Sequence, residues 1–336
     1  EAGVSIEVTL KDRPGLPRVS VSLLQDAVAS RDLDAVRLFL RSVVDPRRVV
    51  RQPGPYGRTA LHLAAMVGSV EAVDLCLGRG ADALASDDYG FTPVHYAARN
   101  GSAQTLALLL RDIAPSDEQE GKTTPLHLAA YSGKPAVVEA LLNAGWRSDW
   151  PDEAGLTPLH RAVQSGVRAS VDALVAVGAK VAAETADGRA NALTLAAQVG
   201  AEEVLDALLA TDRFDLDLAP TCGEVPLLTA LRYRRYRFAE CLLRAGARAG
   251  VRDPESGLTI ARIYVRQVRE AIARRDPSPR HPGLEAALFK AGVVLSIPPL
   301  ETQACPPVAG ALASPPQEPA PAKGRDASPS HRPAVS

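Results

Sequence analysis

At 336 residues the default expectation is about two globular domains, but an internal period overrides it and makes one elongated domain the better count. The 38 basic and 39 acidic residues leave a net charge of −1, so no global field points to DNA, RNA or an anionic membrane. The four cysteines (Cys76, Cys222, Cys241 and Cys305) show no C-x-x-C spacing and fit a reducing compartment, no apolar run approaches the roughly 18 residues that span a bilayer, and no basic-then-apolar signal segment opens the chain.

In chain order, residues 4–10 alternate apolar and polar and read as a short strand before the breakers Pro14, Gly15 and Pro17, so residues 1–19 form an N-terminal extension. Over 21–40 the pattern keeps a two-helix rhythm without a Thr-Pro entry or a turn glycine. Residues 20–55 are therefore predicted to be a degenerate capping unit, closed by a lengthened basic loop with Arg47, Arg48 and Arg51. From there Thr-Pro-Leu-His-like entries recur at Thr59, Thr92, Thr124 and Thr157, then weakened at Asn191, Val225 and Thr259, at steps of 33, 32, 33, 34, 34 and 34 residues. The turn glycines Gly68, Gly101, Gly133, Gly166 and Gly200 and the closing glycines Gly80, Gly145, Gly178 and Gly246 keep the same register.

The units are not identical. The second has an acidic loop over 112–120 in place of a closing glycine, which predicts a reshaped connection. The fifth carries Asn191 and Thr194 at the threonine and histidine positions. The sixth has Val225, Leu228 and, at the turn glycine, Arg234. A non-glycine residue at positive φ costs about 1 kcal/mol, so its first helix is expected to be distorted or extended. Residues 56–254 thus hold six repeats. Residues 255–296 make a terminal unit with a long first helix and a proline-broken loop, and the Pro-, Ala- and Ser-rich stretch 297–336 is expected to be disordered.

The chemistry of one unit explains its letters. A threonine hydroxyl caps the first helix, the following proline occupies the first helical position where a missing N–H costs nothing, and a glycine supplies the positive φ that ends the helix. A second, amphipathic helix follows, as in Val137, Val138, Leu141 and Leu142, and neither helix can bury its stripe without neighbours. The period of about 33 residues with T-P-L-H-x-A resembles the ankyrin repeat. That resemblance implies an all-α solenoid of stacked helix-turn-helix units with hairpin fingers. It also implies that His62, His95, His127 and His160 link the hydroxyls of Thr59, Thr92, Thr124 and Thr157 to backbone of the neighbouring loop.

Catalysis has little to stand on. No G-x-S-x-G, H-E-x-x-H or G-x-G-x-x-G occurs, and in G-K-T-T at Gly121 the earlier glycine of a phosphate-binding loop is replaced by Asp117. One histidine per stacked unit also separates these side chains too far to share a metal ion. No enzyme activity, cofactor or metal is expected. Recognition is the alternative, because the resemblance implies partners bound across a concave face of fingers and first helices. Its positions here include Asp88, Tyr89, Phe91, Arg99, Asn100, Tyr131, Glu153, Leu156, Gln164, Gln198, Arg232, Tyr233 and Arg266. Of these Tyr89, Phe91, Arg99, Tyr131, Leu156, Gln164, Arg232 and Tyr233, together with Trp150, are the candidate protein-binding residues, since hot spots favour Tyr, Trp and Arg. Trp146 and Trp150 share one finger, either as an exposed anchor or as a plug, with Trp150 nearer the tip. Residues 181–224 hold nine acidic and two basic residues, and 232–280 hold thirteen basic and five acidic, a net +8. The basic stretch suits an acidic protein segment better than nucleic acid, or is a solvated face neutralised by its acidic neighbour.

The reading is a monomeric, non-enzymatic scaffold, adaptor or inhibitor, intracellular in the cytoplasm or nucleus, that binds one or more proteins without inserting into a membrane. Repeats three and four also look somewhat like the inhibitor-of-NF-κB family, which implies a sequestering inhibitor or nuclear cofactor of a transcription factor. The alternatives are a substrate receptor of a ubiquitin ligase, for which the tail lacks a C-terminal box, and a regulatory segment of a larger enzyme or channel, which a chain opening on Glu1 permits.

Overall fold

The computed structural model describes residues 17–113, 115, 121–209, 215–276 and 278–297. The strand expected over 4–10, most of the acidic loop of the second unit and the tail lie outside them. The described residues form seventeen α-helices and no strand. Helices α1 (Pro17–Ala29) and α2 (Leu33–Ser42) make the first pair, and α3 (Pro46–Arg51) follows. Seven more pairs come next: α4 (Ala60–Val67) with α5 (Val70–Gly78), α6 (Pro93–Asn100) with α7 (Ala103–Leu109), α8 (Pro125–Tyr131) with α9 (Pro135–Asn143), and α10 (Pro158–Ser165) with α11 (Arg168–Ala176). The last three are α12 (Ala192–Val199) with α13 (Glu202–Leu209), α14 (Pro226–Arg232) with α15 (Tyr236–Arg244), and α16 (Ile260–Ala273) with α17 (Pro282–Lys290).

Contacts run along two layers. First helices pack in the order α1, α4, α6, α8, α10, α12, α14, α16, and second helices in the order α2, α5, α7, α9, α11, α13, α15, α17. The first layer can pack closely because its helices present small side chains: Ala64, Ala65, Ala97, Ala98, Ala129, Ala130, Ala196 and Ala197 are fully buried. The second layer supplies bulk at helical spacing, as in Leu106 and Leu109, Val138 and Leu141, Val171 and Leu174, and Phe238 and Leu242. Each such side chain contributes roughly 1.5–3 kcal/mol by leaving water, and it does so only against the neighbouring unit.

Helix ends follow local chemistry. Ser69, Ser102 and Asp32 cap second helices by accepting the N–H groups of Ala72 (3.3 Å), Thr105 (3.3 Å) and Ala35 (2.9 Å). The segment expected as a plain loop over 45–55 instead contains α3. Asp45 caps it through the Arg48 N–H at 3.1 Å, Pro46 takes its first position, and Val49 and Val50 are buried. The first helix of the sixth unit is neither distorted nor extended. It ends at Arg232, and Arg234 adopts φ 57° itself, as Gly133 does at φ 62° after α8. An ion pair from Arg234 to Glu270 at 3.2 Å holds the side chain. Cys76 is fully buried and packs as a small apolar side chain, and Cys241 is half-buried.

Candidate protein-interaction face

The face is built outward from a buried relay. At each of the first four entries the histidine Nδ1 accepts the threonine N–H, at 3.1 Å for His62, 3.1 Å for His95, 3.2 Å for His127 and 3.0 Å for His160. A nitrogen that accepts a backbone N–H carries no proton, so the hydrogen is on Nε2. From there it is donated to a carbonyl of the next unit: Phe91 (3.0 Å), Thr123 (2.9 Å), Leu156 (3.0 Å) and Ala183 (3.0 Å). The threonine hydroxyls of Thr59, Thr92, Thr124 and Thr157 lie 2.9, 2.9, 2.8 and 3.0 Å from the same Nδ1. Burial disfavours the imidazolium, so His95, His127 and His160 are pushed down to about 4, and His62 is lowered for the same reason. These rings are neutral struts, with no lone pair left for a metal.

Where the fifth unit lacks histidine the relay is rebuilt. Thr194 Oγ1 accepts the Asn191 N–H at 2.7 Å, Asn191 Oδ1 accepts the Thr194 N–H at 2.9 Å, and Asn191 Nδ2 donates to the Leu218 carbonyl at 3.4 Å. Val225 and Leu228 leave the sixth unit without an equivalent.

The fingers are set by buried aspartates. Asp87 Oδ1 accepts the N–H groups of Tyr89 and Phe91, both at 2.9 Å, and Asp152 Oδ1 those of Ala154 (2.9 Å) and Leu156 (3.0 Å). The second oxygen of each faces the first helix nine residues on. Tyr96 donates to Asp87 Oδ2 at 2.6 Å, and the Arg161 guanidinium donates to Asp152 Oδ2 at 2.8 and 2.6 Å. Desolvation opposes ionisation of both carboxyls, yet these donors hold both below the ordinary aspartate value. The signal for these residues was present as a recurring D-x-x-G, at Asp87 to Gly90 and Asp152 to Gly155.

On this frame the candidate residues separate. Tyr89 is 62% exposed and stacks on Tyr56, itself 61% exposed, with ring centroids 6.4 Å apart. The Arg58 guanidinium lies 5.4 Å from the Tyr56 ring and 6.0 Å from the Tyr89 ring, and is 3.6 Å from Asp87. Sequence reasoning missed Tyr56 and Arg58. Met66, Arg99, Tyr131, Gln164, Gln198, Arg232 and Arg266 each occupy the seventh position of successive first helices, so they form one row. In it Arg99 and Tyr131 are exposed, Tyr131 to 57%, and Gln164 accepts from Arg161 at 3.2 Å. Phe91 and Leu156 are half-buried and pack on the core behind the row.

Two candidates change character. Trp150 is 4% exposed, as is Trp146, so the pair fills space beneath its finger and Trp150 is not available as an anchor. Arg232 is engaged by Glu224, by Asp253 at 3.3 Å and by Glu255 at 3.4 Å, lining a cleft with Ile263, Arg266 and Gln267. Arg248 pairs with Asp217 at 3.3 Å, Arg234 with Glu270 at 3.2 Å and Arg244 with Glu240, so much of the basic stretch is neutralised locally. Tyr233 beside it is 52% exposed. Burial pushes the Cys76 thiol up to about 12, which leaves it inert. Among the described residues no cluster of His, Cys, Asp or Glu has metal-binding geometry, and no helix is long and apolar enough to cross a membrane.

Comparison with known proteins agrees with this geometry. A family model described as ankyrin repeats (3 copies) matches residues 24–119 and 112–185. The ankyrin-repeat domain of Bcl-3, described as a unique member of the IkappaB protein family, superposes with a TM-score of 0.53 at 29% identity, covering 66% of this chain and 97% of that one. The human ASB11 ankyrin-repeat domain gives 0.58 at 24% identity, covering 67% and 97%. Human inversin is 33% identical over 135 residues, 39% of this chain and 12% of inversin. The human transient receptor potential cation channel subfamily A member 1 is 32% identical over 216 residues, 61% of this chain and 19% of the channel. The chain thus spans under a fifth of the length of these two relatives. From the repeated Thr-Pro-Leu-His entries, the histidine relay and these matches together, the chain belongs to the ankyrin-repeat family.

Proposed function

We propose that the chain is a non-enzymatic adaptor or inhibitor that binds a partner protein across the concave, finger-side face of its N-terminal repeats. Ankyrin repeats are in general protein-interaction modules, and the fold alone does not choose the partner. The observation that carries the reading is the exposed group Tyr56, Tyr89, Arg99 and Tyr131, held on rigid supports by the relay and the finger aspartates. Tyrosine and arginine on a preorganised frame bind at low entropic cost and are the usual hot-spot residues. A second reading, a regulatory ankyrin segment of a longer protein, is favoured by the 61% of this chain that aligns with only 19% of a cation channel. The two are compatible at the level of the face.

The test is co-purification from cells with the intact chain and with a Tyr89→Ala, Tyr131→Ala variant whose helix content is unchanged by circular dichroism. Both side chains are more than half exposed, so the fold is expected to survive. A partner that binds the variant at least tenfold more weakly supports the face; equal binding of every partner to both forms removes it.

A further inference from the structure

Seven of the eight helix pairs turn from first to second helix in two or three residues, for example 68–69, 101–102 and 233–235, whereas α16 and α17 are joined by the eight residues 274–281. The longer bridge is pinned at both ends. The Asp276 N–H donates to the Ala271 carbonyl at 3.0 Å. At the other end Arg280 donates to Glu285 at 2.9 Å, and the His281 N–H donates to the Tyr264 hydroxyl at 2.8 Å, which itself donates to Glu285 at 2.9 Å. Between the pins stands Ser278, exposed, in neither helix nor strand. Its N–H lies 3.4 Å from Asp276 Oδ1, and its hydroxyl has no hydrogen-bond partner among the described residues. Arg274 and Arg275, four and three residues before it, are exposed and have no carboxylate partner among the described residues. Pro279 follows it directly.

We propose that Ser278 is a phosphorylation site for a proline-directed serine kinase. A protein kinase takes its acceptor in a segment outside helix and strand whose hydroxyl is exposed and unpartnered, and among the described residues this helix-to-helix bridge offers the one Ser-Pro pair in that form. Proline after the serine brings no N–H. A kinase pocket that cannot pair an N–H there selects for it, because an unpaired buried donor is costly. In the reaction the Ser278 Oγ attacks the γ-phosphorus of a nucleoside triphosphate held by the kinase. An Oγ–P bond forms, the bond from that phosphorus to the bridging oxygen breaks, the nucleoside diphosphate leaves, and the hydroxyl proton passes to the base of the kinase. The product adds about −1.5 to −2 charges. It does so three and four residues after two exposed arginines suited to charge-assisted hydrogen bonds, in a stretch whose net charge is +8.

The experiment incubates the full folded chain with a purified proline-directed kinase, proved active on a peptide substrate, and magnesium ATP, then maps phosphate by mass spectrometry. Ser314 and Ser328, also followed by proline, serve as internal comparisons. The expected result is near-stoichiometric phosphate on Ser278, absent from Ser278→Ala and at least tenfold slower in Pro279→Ala, with helix content unchanged in both. Ser278 left unmodified in the folded chain, modified only after denaturation, or modified equally fast in Pro279→Ala overturns the proposal.

Discussion

At the scale of the residue, the four histidines act by staying neutral. Each has one nitrogen occupied by a threonine N–H and the other by a carbonyl of the next unit, so a second ring proton would have to displace a backbone donor. His95, His127 and His160 are pushed down to about 4 from an ordinary 6.5 by burial. Between those two values the unfolded chain binds protons that the folded chain excludes. Their contribution is therefore fully present above pH 6.5 and is lost as pH falls toward 4, at about 1.4 kcal/mol per unit of pKa difference for each ring. Below that window Asp87 and Asp152 take over, since both are held below the ordinary aspartate value and lose their contribution only as they protonate. Urea midpoints measured from pH 7.5 to 4.5 are expected to fall steeply. In His127→Gln the midpoint at pH 7.5 should be lower and its pH dependence shallower by about one proton. A midpoint independent of pH over that range contradicts the neutral relay.

At the scale of the element, two turn glycines with the same backbone test different physics. Gly133 at φ 62° would place a Cβ 2.5 Å from the Val167 side chain, whereas Gly166 at φ 71° has open space around that position. Gly166→Ala pays only the left-handed conformation, about 1 kcal/mol, and Gly133→Ala adds a clash with a stiff branched side chain. Thermal melts should rank Gly133→Ala as the more damaging by 1 kcal/mol or more, on the order of a core overpacking. The converse holds at Arg234, whose φ of 57° glycine adopts freely. Arg234→Gly is expected to raise stability by about 0.5–1 kcal/mol, since the exposed pair with Glu270 that it removes is worth little. The element scale also shows what the sequence made legible. Entries, turn glycines and second helices are legible because each is a local device that must recur at every unit. Helix α3 was hidden because six residues carry too little periodicity, and only Asp45-Pro46 marked it. Arg234 was misjudged because one strained residue costs less than re-routing a helix whose buried face is already committed. Trp150 misled for a further reason. Its position in a finger is legible, but the side of the finger to which a ring turns depends on the space the neighbouring units leave.

At the scale of the whole repeat array, stability is approximately a sum of unit terms and nearest-neighbour terms, so a missing link is felt locally. Histidine joins each of the first four units to the next, and Asn191 makes a longer contact to Leu218 at 3.4 Å. The sixth unit has Val225 and Leu228 instead. Its substitutes lie beside α14: buried Gln267 donates to the Leu231 carbonyl at 2.6 Å and accepts from Tyr236 at 3.2 Å. That arrangement ties α14 to α16 through one side chain and leaves the sixth entry without the strut that crosses to the next finger. Local opening should therefore begin there, because no buried strut crosses from that entry and the ion pairs that do cross, from Arg232 to Asp253 and Glu255 and from Arg234 to Glu270, are partly exposed and worth little. Hydrogen exchange followed by mass spectrometry is expected to show amides of α14 to α17 exchanging faster than those of α6 to α11. Gln267→Ala should widen the gap while leaving α6 to α11 unchanged. The opposite ranking, or a uniform rate from α6 to α17, would mean that buried apolar contact between layers sets the unit interfaces and the relay does not. A graded array also suits the face proposed above, since Tyr56, Tyr89, Arg99 and Tyr131 all stand on the units the relay joins, where a binding surface loses least to local opening.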